Sequence, residues 1–307
     1  MDLAFYPLRF RFTALESIYF PPGKPGNILR GALGTIFRKI ACAPTCTDAH
    51  TCEERAACPY AALFEPEATG RGPSGLKDWP RPFVFRARHL DGRTVAPDQD
   101  FHFDVNLFEM RSPALAYLAL TFAELAREGL GPGRGRAKMD SVDLLHLDGV
   151  EATRVHDGST PPAPARLPLE SNGASLDRVR VDFLSPTELK AGQRLVERPD
   201  FDVLFGRIRD RISTLRALYG EGPLAIDFKG MGERAARVRM TRCEVHHQQV
   251  ERRSTRTGQS HSIGGFVGLA EYEGELGEFL PYLQAAHWTG VGRQTVWGKG
   301  EIETSVT

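Results

Sequence analysis

One succession occurs twice in this chain: an amphipathic helix, a turn dense in glycine and arginine, then a strand. It runs first over residues 113–147, where the turn reads GLGPGRGR (129–136). It runs again over 278–304, where the turn reads GVGRQTVWGKG (290–300). A repeat at this spacing constrains the fold more than any single element does, because it calls for two domains of like architecture. Length agrees, since 307 residues are about twice the commonest domain size. With 41% hydrophobic and 25% charged residues, the chain can bury two cores.

The pattern along each half supports the repeat. Residues 3–15 alternate apolar side chains with Arg9, Arg11 and Thr13, the period of a strand. Prolines and glycines at 21–26 break it, and Asn27 is placed to cap a helix over 28–40 with Leu29, Leu33, Ile36, Phe37 and Ile40 on one face. Strands are expected at 83–90 and 100–108. A helix at 113–128 follows, with Ser112 as its cap and Pro113 at its first position, and then a strand at 139–147. Strand, helix, strand, strand, helix, strand is the ferredoxin-like order. Residues 157–177 are polar and rich in proline and glycine, as a linker is. Beyond it, a strand at 179–184, a helix at 201–219, strands at 238–250 and 265–273, a helix at 278–288 and a strand at 301–304 give a second series. The expected class is α+β, with two tandem ferredoxin-like domains over 1–150 and 178–307 joined by 151–177. A glycine-rich loop occupies 290–300, and a small cysteine-rich insertion occupies 42–66.

Arginines lie inside the apolar N-terminal stretch, unlike a secretory signal. No run of about 18 apolar residues is present to span a bilayer. A cytoplasmic protein with reduced cysteines and no membrane partner is therefore expected. The formal net charge is zero, yet basic and acidic residues are segregated. Arg134, Arg136 and Lys138 form one basic cluster. Others are Arg207, Arg209, Arg211 and Arg216; Arg234, Arg237, Arg239 and Arg242; and Arg252, Arg253 and Arg256. In the second of these, Arg207, Arg211 and Arg216 read as the solvated face of a helix. The last lies in a hairpin with Ser254, Thr255 and Gly258, where packing gives no reason for it, so a polyanion contact is expected there.

In the C-terminal loop, Gly290, Gly292, Gly298 and Gly300 interleave with Arg293 and Lys299. Glycines at positive φ let a backbone approach a ligand and point its amides at phosphate oxygens, and the two cations would add charged contacts. The competing reading is a helix-to-strand turn whose glycines only satisfy backbone geometry. Neither the mononucleotide nor the dinucleotide phosphate-binding pattern is present.

Cys42, Cys46, Cys52 and Cys58 share one short polar stretch with His50. Thiolates gathered this closely in a reducing compartment suggest a structural metal, zinc first and an iron–sulfur cluster second. Four small residues holding a loop are the alternative. Cys243 stands alone in a strand pattern and reads as core.

The run GGFVGLAEYEGELGEFLPYLQAAHWTGVGRQTVWGKGE at 264–301 resembles the C-terminal domain of the CRISPR repeat-RNA-processing endoribonucleases of the RAMP superfamily. Their signature is a Gly-Gly-Phe-x-Gly strand, a helix and a Gly-x-Gly-x5-Gly-x-Gly loop. Phe183-Leu184-Ser185-Pro186-Thr187 is similar to their entry into the second domain, and Leu29-Arg30-Gly31-Ala32-Leu33-Gly34 to their first helix. The likeness is clear over 178–303. It implies binding of CRISPR repeat RNA and its cleavage within each repeat, without a metal, by acid/base attack of the 2′-hydroxyl. It also admits other Cas proteins as partners.

The resemblance implies RNA contact by the loop residues Gly290, Gly292, Arg293, Gly298, Lys299 and Gly300, by the hairpin residues Arg252, Arg253 and Arg256, and by Arg134 and Arg136. A histidine just beyond the first helix is the family's usual acid/base. Here that position belongs to His50, with Lys39 at the helix end and His261, beside the basic hairpin, as the rival. His246 and His247 are neighbours in a strand, so at most one would point at RNA. Two further readings stay open: an RNA-binding subunit that does not cut, and a zinc-stabilised module that docks on other proteins.

Overall fold

A computed structural model describes residues 1–69, 79–148, 152–155, 162–171, 173–253 and 260–306. It divides into two compact units. One comprises Ala4–Arg166 with Leu215–Gly222, and the other Met1–Leu3, Leu167–Thr214 and Pro223–Thr307. Both are mixed α/β units built on antiparallel sheets.

The first unit is made of β1 (Asp2–Ala14), α1 (Pro25–Ala41), β2 (Phe83–Arg86), β3 (Asp100–Leu107), α2 (Leu115–Glu128) and β4 (Ala137–Leu145). Its sheet runs β2, β3, β1, β4 and then the short strand Ala152–Arg154, every pair antiparallel. The alternation read from the sequence sorts β1 into two faces. Phe10 and Phe12 are buried and stack on Phe103 at 5.6 and 5.2 Å, with Phe122 of α2 edge-on to Phe10 at 4.6 Å. On the other face Arg9 donates to Asp104 at 2.8 Å and Arg11 to Asp143 at 2.6 Å.

Both helix starts differ from expectation. Proline has no amide to leave unsatisfied and its φ is already helical, so α1 begins at Pro25 with Lys24 as its cap rather than at Asn27. The Glu109 carboxylate accepts from the amides of Arg111 and Ser112 at 2.8 and 3.4 Å. The chain is thus still turning at Ser112, and α2 starts after Ala114 with no side-chain cap.

The second unit follows the same order with one helix more: β5 (Arg178–Thr187), α3 (Phe201–Tyr219), α4 (Phe228–Ala235), β6 (Arg239–Gln248), β7 (Gly265–Glu273), α5 (Leu280–Thr289) and β8 (Ile302–Val306). Its sheet runs β6, β7, β5, β8, again antiparallel throughout. Phe201 of α3 meets Tyr272 of β7 edge-on at 5.1 Å and Phe279 at 5.3 Å. The Tyr272 hydroxyl, buried with that face, donates to the Pro199 carbonyl at 2.6 Å. On the opposite face arginines and carboxylates pair both across and along the strands. Arg178 and Arg239 both reach Glu273, at 2.9 and 2.7 Å. Arg242 reaches Glu244 and Glu271 at 2.9 and 3.1 Å, and Arg180 reaches Asp182 at 2.6 Å.

Helix α4 runs against expectation, since Gly230 and Gly232 lower helix propensity. The cap compensates: the Asp227 side chain accepts from the Gly230 amide at 2.9 Å. Of the three α3 arginines expected on a solvated face, only Arg207 is exposed. Arg216 is buried, Arg211 donates to the Thr289 carbonyl at 2.9 Å, and Arg209 lies 4.9 Å over the Phe228 ring. Among the described residues no helix is long and apolar enough to cross a membrane.

Candidate functional site

The loop between α5 and β8 turns on residues in the left-handed region: Gly290, Gly292, Gln294, Gly298 and Gly300 have φ between 64 and 77°. At two of them the need for glycine is steric as well. A Cβ on Gly292 would lie 2.3 Å from the Glu188 carbonyl oxygen, and one on Gly300 would lie 2.0 Å from that of Val291. No real side chain tolerates such contacts.

The loop's amides are largely committed to backbone. Val291 donates to Gly300 at 2.9 Å, Arg293 to Glu188 at 3.1 Å and Gly300 to Pro186 at 3.1 Å. The Glu301 amide donates to Ser185 Oγ at 2.9 Å. The Ser185-Pro186-Thr187 run at the end of β5 is therefore the strip to which the loop is laced. The two loop cations differ sharply. Arg293 reaches the Glu188 carboxylate at 2.6 Å with its side chain 54% exposed, so it stands at the surface. Lys299 is 5% exposed: the chain folds it inward.

Beside this strip opens a cleft of about 860 Å³ lined by Thr187, Glu188, Cys243, His246, His247 and Phe266, among others. Cys243 is a half-buried residue of the edge strand and not a core one. The register opposes His247 to Phe266 and Cys243 to Ala270, which sets both on the helix-packed face. His246 has the opposite parity but also borders the cleft.

The hairpin that follows β6 is described as strand backbone at Glu251–Arg253 and Ser260–Ser262, paired Arg252 to His261. Arg252, Arg253 and His261 have their places in that ladder, and Arg256 lies outside the described residues.

In the first unit, the turn after α2 closes with a bridge between Leu130 and Gly135. Arg136 reaches Glu16 at 2.7 Å, and Arg134 holds a positive φ of 51° within the turn. Lys39 pairs with Glu128 at 3.7 Å. His50 is exposed, and its amide donates to the Asp48 carboxylate at 2.7 Å. The Cys42 thiol is pushed up to about 12, first by burial and then by the neighbouring Cys58 and Cys46. Among the described residues no three or more histidine, cysteine, aspartate or glutamate side chains are grouped so that they could hold a metal ion.

One feature that the sequence does not announce is a histidine pair. His89 and His102 stack with ring centroids 4.4 Å apart, and His89 Nε2 lies 2.8 Å from the His102 carbonyl oxygen. Burial, then the neighbouring His89, lowers His102 to about 4. The alternation of β3 is the one signal that places His102 beside Asp104 and Arg9.

Comparison with known proteins places both halves. Residues 3–165 match the AF_1859 N-terminal domain family, and residues 181–302 match the CRISPR-associated endoribonuclease Cas6 family. An uncharacterized protein of Archaeoglobus fulgidus is 26% identical over 301 residues, covering 94% of this chain and 96% of its own. In fold, the chain is similar to a Cas6 product complex (TM-score 0.57, 16% identity, 99% of this chain and 100% of the other). It is also similar to a Thermus thermophilus Cas6 (0.54, 13%, 99% of each). A third likeness is to a Cas6-RT-Cas1–Cas2 complex (0.57, 11%, 99% of this chain and 29% of the other).

Proposed function

The chain belongs to the AF_1859 N-terminal domain family through residues 3–165 and to the CRISPR-associated Cas6 endoribonucleases through residues 181–302, and from that premise we propose that it binds CRISPR repeat RNA and cuts it once per repeat. The observation that carries this reading is the family match over the part of the chain that holds the β5 strip, the cleft and the laced loop. The repeated strand order supports reading both units as ferredoxin-like domains, over 1–150 and 178–307, with 151–177 between them.

In this proposal RNA meets the second domain at the loop 290–300 and the hairpin. Arg293, Arg252, Arg253 and Arg256 supply phosphate contacts. Gly290, Gly292, Gly298 and Gly300 hold the loop's shape, and Lys299 supports it from within. Arg134 and Arg136 give the first domain's contribution. Cleavage needs a base for the 2′-hydroxyl, an acid for the leaving 5′-oxygen and cations for the phosphorane. We assign the acid/base work to His50 with Lys39 beside it, and His261 is the rival. No metal takes part in the step.

The test is to incubate the purified chain with repeat RNA from its own locus in EDTA. One product cut per repeat is expected, and none when the scissile nucleotide carries a 2′-deoxy sugar. Cleavage that requires a divalent metal would overturn the mechanism.

A second reading, an RNA-binding subunit that does not cut, is favoured by the ion pair that occupies Lys39. It predicts a shifted band on a gel with intact RNA. In either case other Cas proteins are the proposed partners, as in the Cas6-RT-Cas1–Cas2 complex whose Cas6 part shares this fold.

A further inference from the structure

None of the four cysteines between residues 42 and 58 has a part in the RNA chemistry proposed above, yet the backbone that carries them is arranged with care. Cys42 sits just past the last turn of α1, its amide donating to the Arg38 carbonyl at 3.0 Å. Cys58 is the cap residue of the short helix Pro59–Phe64, and its carbonyl accepts from the Ala62 amide at 3.1 Å. Cys46 closes a turn onto Ala43 at 2.9 Å. The Arg38 guanidinium braces that turn, donating to the carbonyls of Cys46 at 3.0 Å and Thr47 at 2.5 Å. Two helix ends and one braced turn thus carry three cysteines, and Cys46 and Cys58 are near enough to Cys42 to act on its thiol electrostatically.

Packing alone accounts poorly for this. Small residues that filled a core would be buried, whereas all four cysteines are half-exposed and none is disulfide-bonded. The apolar support is slight, with Cys58 resting on Ala49 and Ala61. Between 43 and 57 the chain holds no helix or strand, and Arg38 ties it to the end of α1. Cys52 lies in one of its turns, closed by the Arg55 amide at 3.3 Å. As they stand the four thiols do not form a group that could hold a metal ion, so binding would draw these turns together around it.

We propose that Cys42, Cys46, Cys52 and Cys58 bind one zinc ion as four thiolates and so fasten the end of α1 to the helix Pro59–Phe64. Four thiolates at tetrahedral angles satisfy zinc completely and leave no open position, so the ion is structural. Each thiol gives up its proton as it binds, and zinc uptake therefore releases protons to solvent. The site is independent of the reading given above, since its metal can be measured with no RNA present.

The experiment uses the full chain, purified without added metal. Elemental analysis is expected to return one equivalent of zinc. Apoprotein prepared with chelator and reductant should take up one cobalt(II) with thiolate charge-transfer bands and the visible bands of a tetrahedral site, and zinc should abolish them. Cys42→Ser and Cys58→Ser should each weaken zinc binding by at least about 10- to 100-fold, while Cys243→Ser changes nothing. Less than about a tenth of an equivalent of zinc, with no cobalt bands from the native apoprotein, would overturn the proposal. So would iron with acid-labile sulfide in place of zinc, or Cys42→Ser and Cys58→Ser proteins that keep the full equivalent. If a variant fails to fold, the zinc content of the native protein and the cobalt spectrum of its apoprotein decide the question without it.

Discussion

At Gly300 a side chain would have to share space with the Val291 carbonyl 2.0 Å away, at a φ of 67° that L-residues avoid. Gly300→Val and Gly292→Val should therefore lose about 2–4 kcal/mol of stability, read by urea unfolding. Lys299→Ala should also destabilise, because the buried side chain fills space. Arg293→Ala should leave stability nearly unchanged, lower RNA affinity uniformly across sequences and flatten the salt dependence by about one slope unit. An Arg293→Ala protein with unaltered slope would remove that arginine from the RNA contact. These residues show what the sequence pattern can and cannot tell. Glycine spacing announces positive φ. It does not say whether the amides so exposed face a ligand or another strand, because the Ser185–Thr187 strip that receives them lies about a hundred residues earlier. His102 carries a second prediction. Its folded pKa, about 4, lies below the unfolded value near 6.5, so between those values the unfolded chain binds more protons. Stability must fall as pH drops through that window and level off below it. The ring is only half-buried, and solvent screening leaves about 1–2 kcal/mol of this effect. His102→Gln should flatten the loss between pH 7 and about 4 by that amount in denaturant titrations.

Elements are most legible where period and burial coincide. The alternation of β1 survives intact because Phe10 and Phe12 enter the aromatic core while Arg9 and Arg11 meet Asp104 and Asp143 across the sheet. Phe10→Ala should cost about 3–5 kcal/mol in urea titrations, as transfer and cavity terms add. Boundaries are less legible, because Pro25 competes with Asn27 for the start of α1 and the Glu109 carboxylate delays the start of α2. Helix α4 is hidden for a physical reason: its two glycines speak against a helix, and only the tertiary setting and the Asp227 cap overcome them. Asp227→Ala should thus cost about 1 kcal/mol of stability in urea unfolding, whereas an exposed aspartate elsewhere would cost nearly nothing. A neutral result would mean that packing of Met231 and Ala235 is enough to form the helix.

Over the whole molecule, zero net charge conceals a particular layout. Arginines on the faces opposite the helices are matched by carboxylates within each sheet, which leaves the loop, the hairpin and the turn after α2 to supply the proposed contacts. With Arg293, Arg252, Arg253, Arg256, Arg134 and Arg136 as those contacts, the logarithm of the binding constant should fall with that of salt by a slope of about 4 to 5. A slope near 8 would mean that the sheet arginines also meet phosphate. The repeated order of elements is legible from sequence, since each half spells it locally. This cancellation is not, because it depends on strand register. A cell offers any RNA-binding protein a vast excess of wrong RNA, and most such proteins lose time to it through general attraction to phosphate. Two sheets that cancel their own charge make poor resting places for stray strands. The molecule would spend little of its time captured, and discrimination would begin with indifference to the crowd before any contact with the right partner.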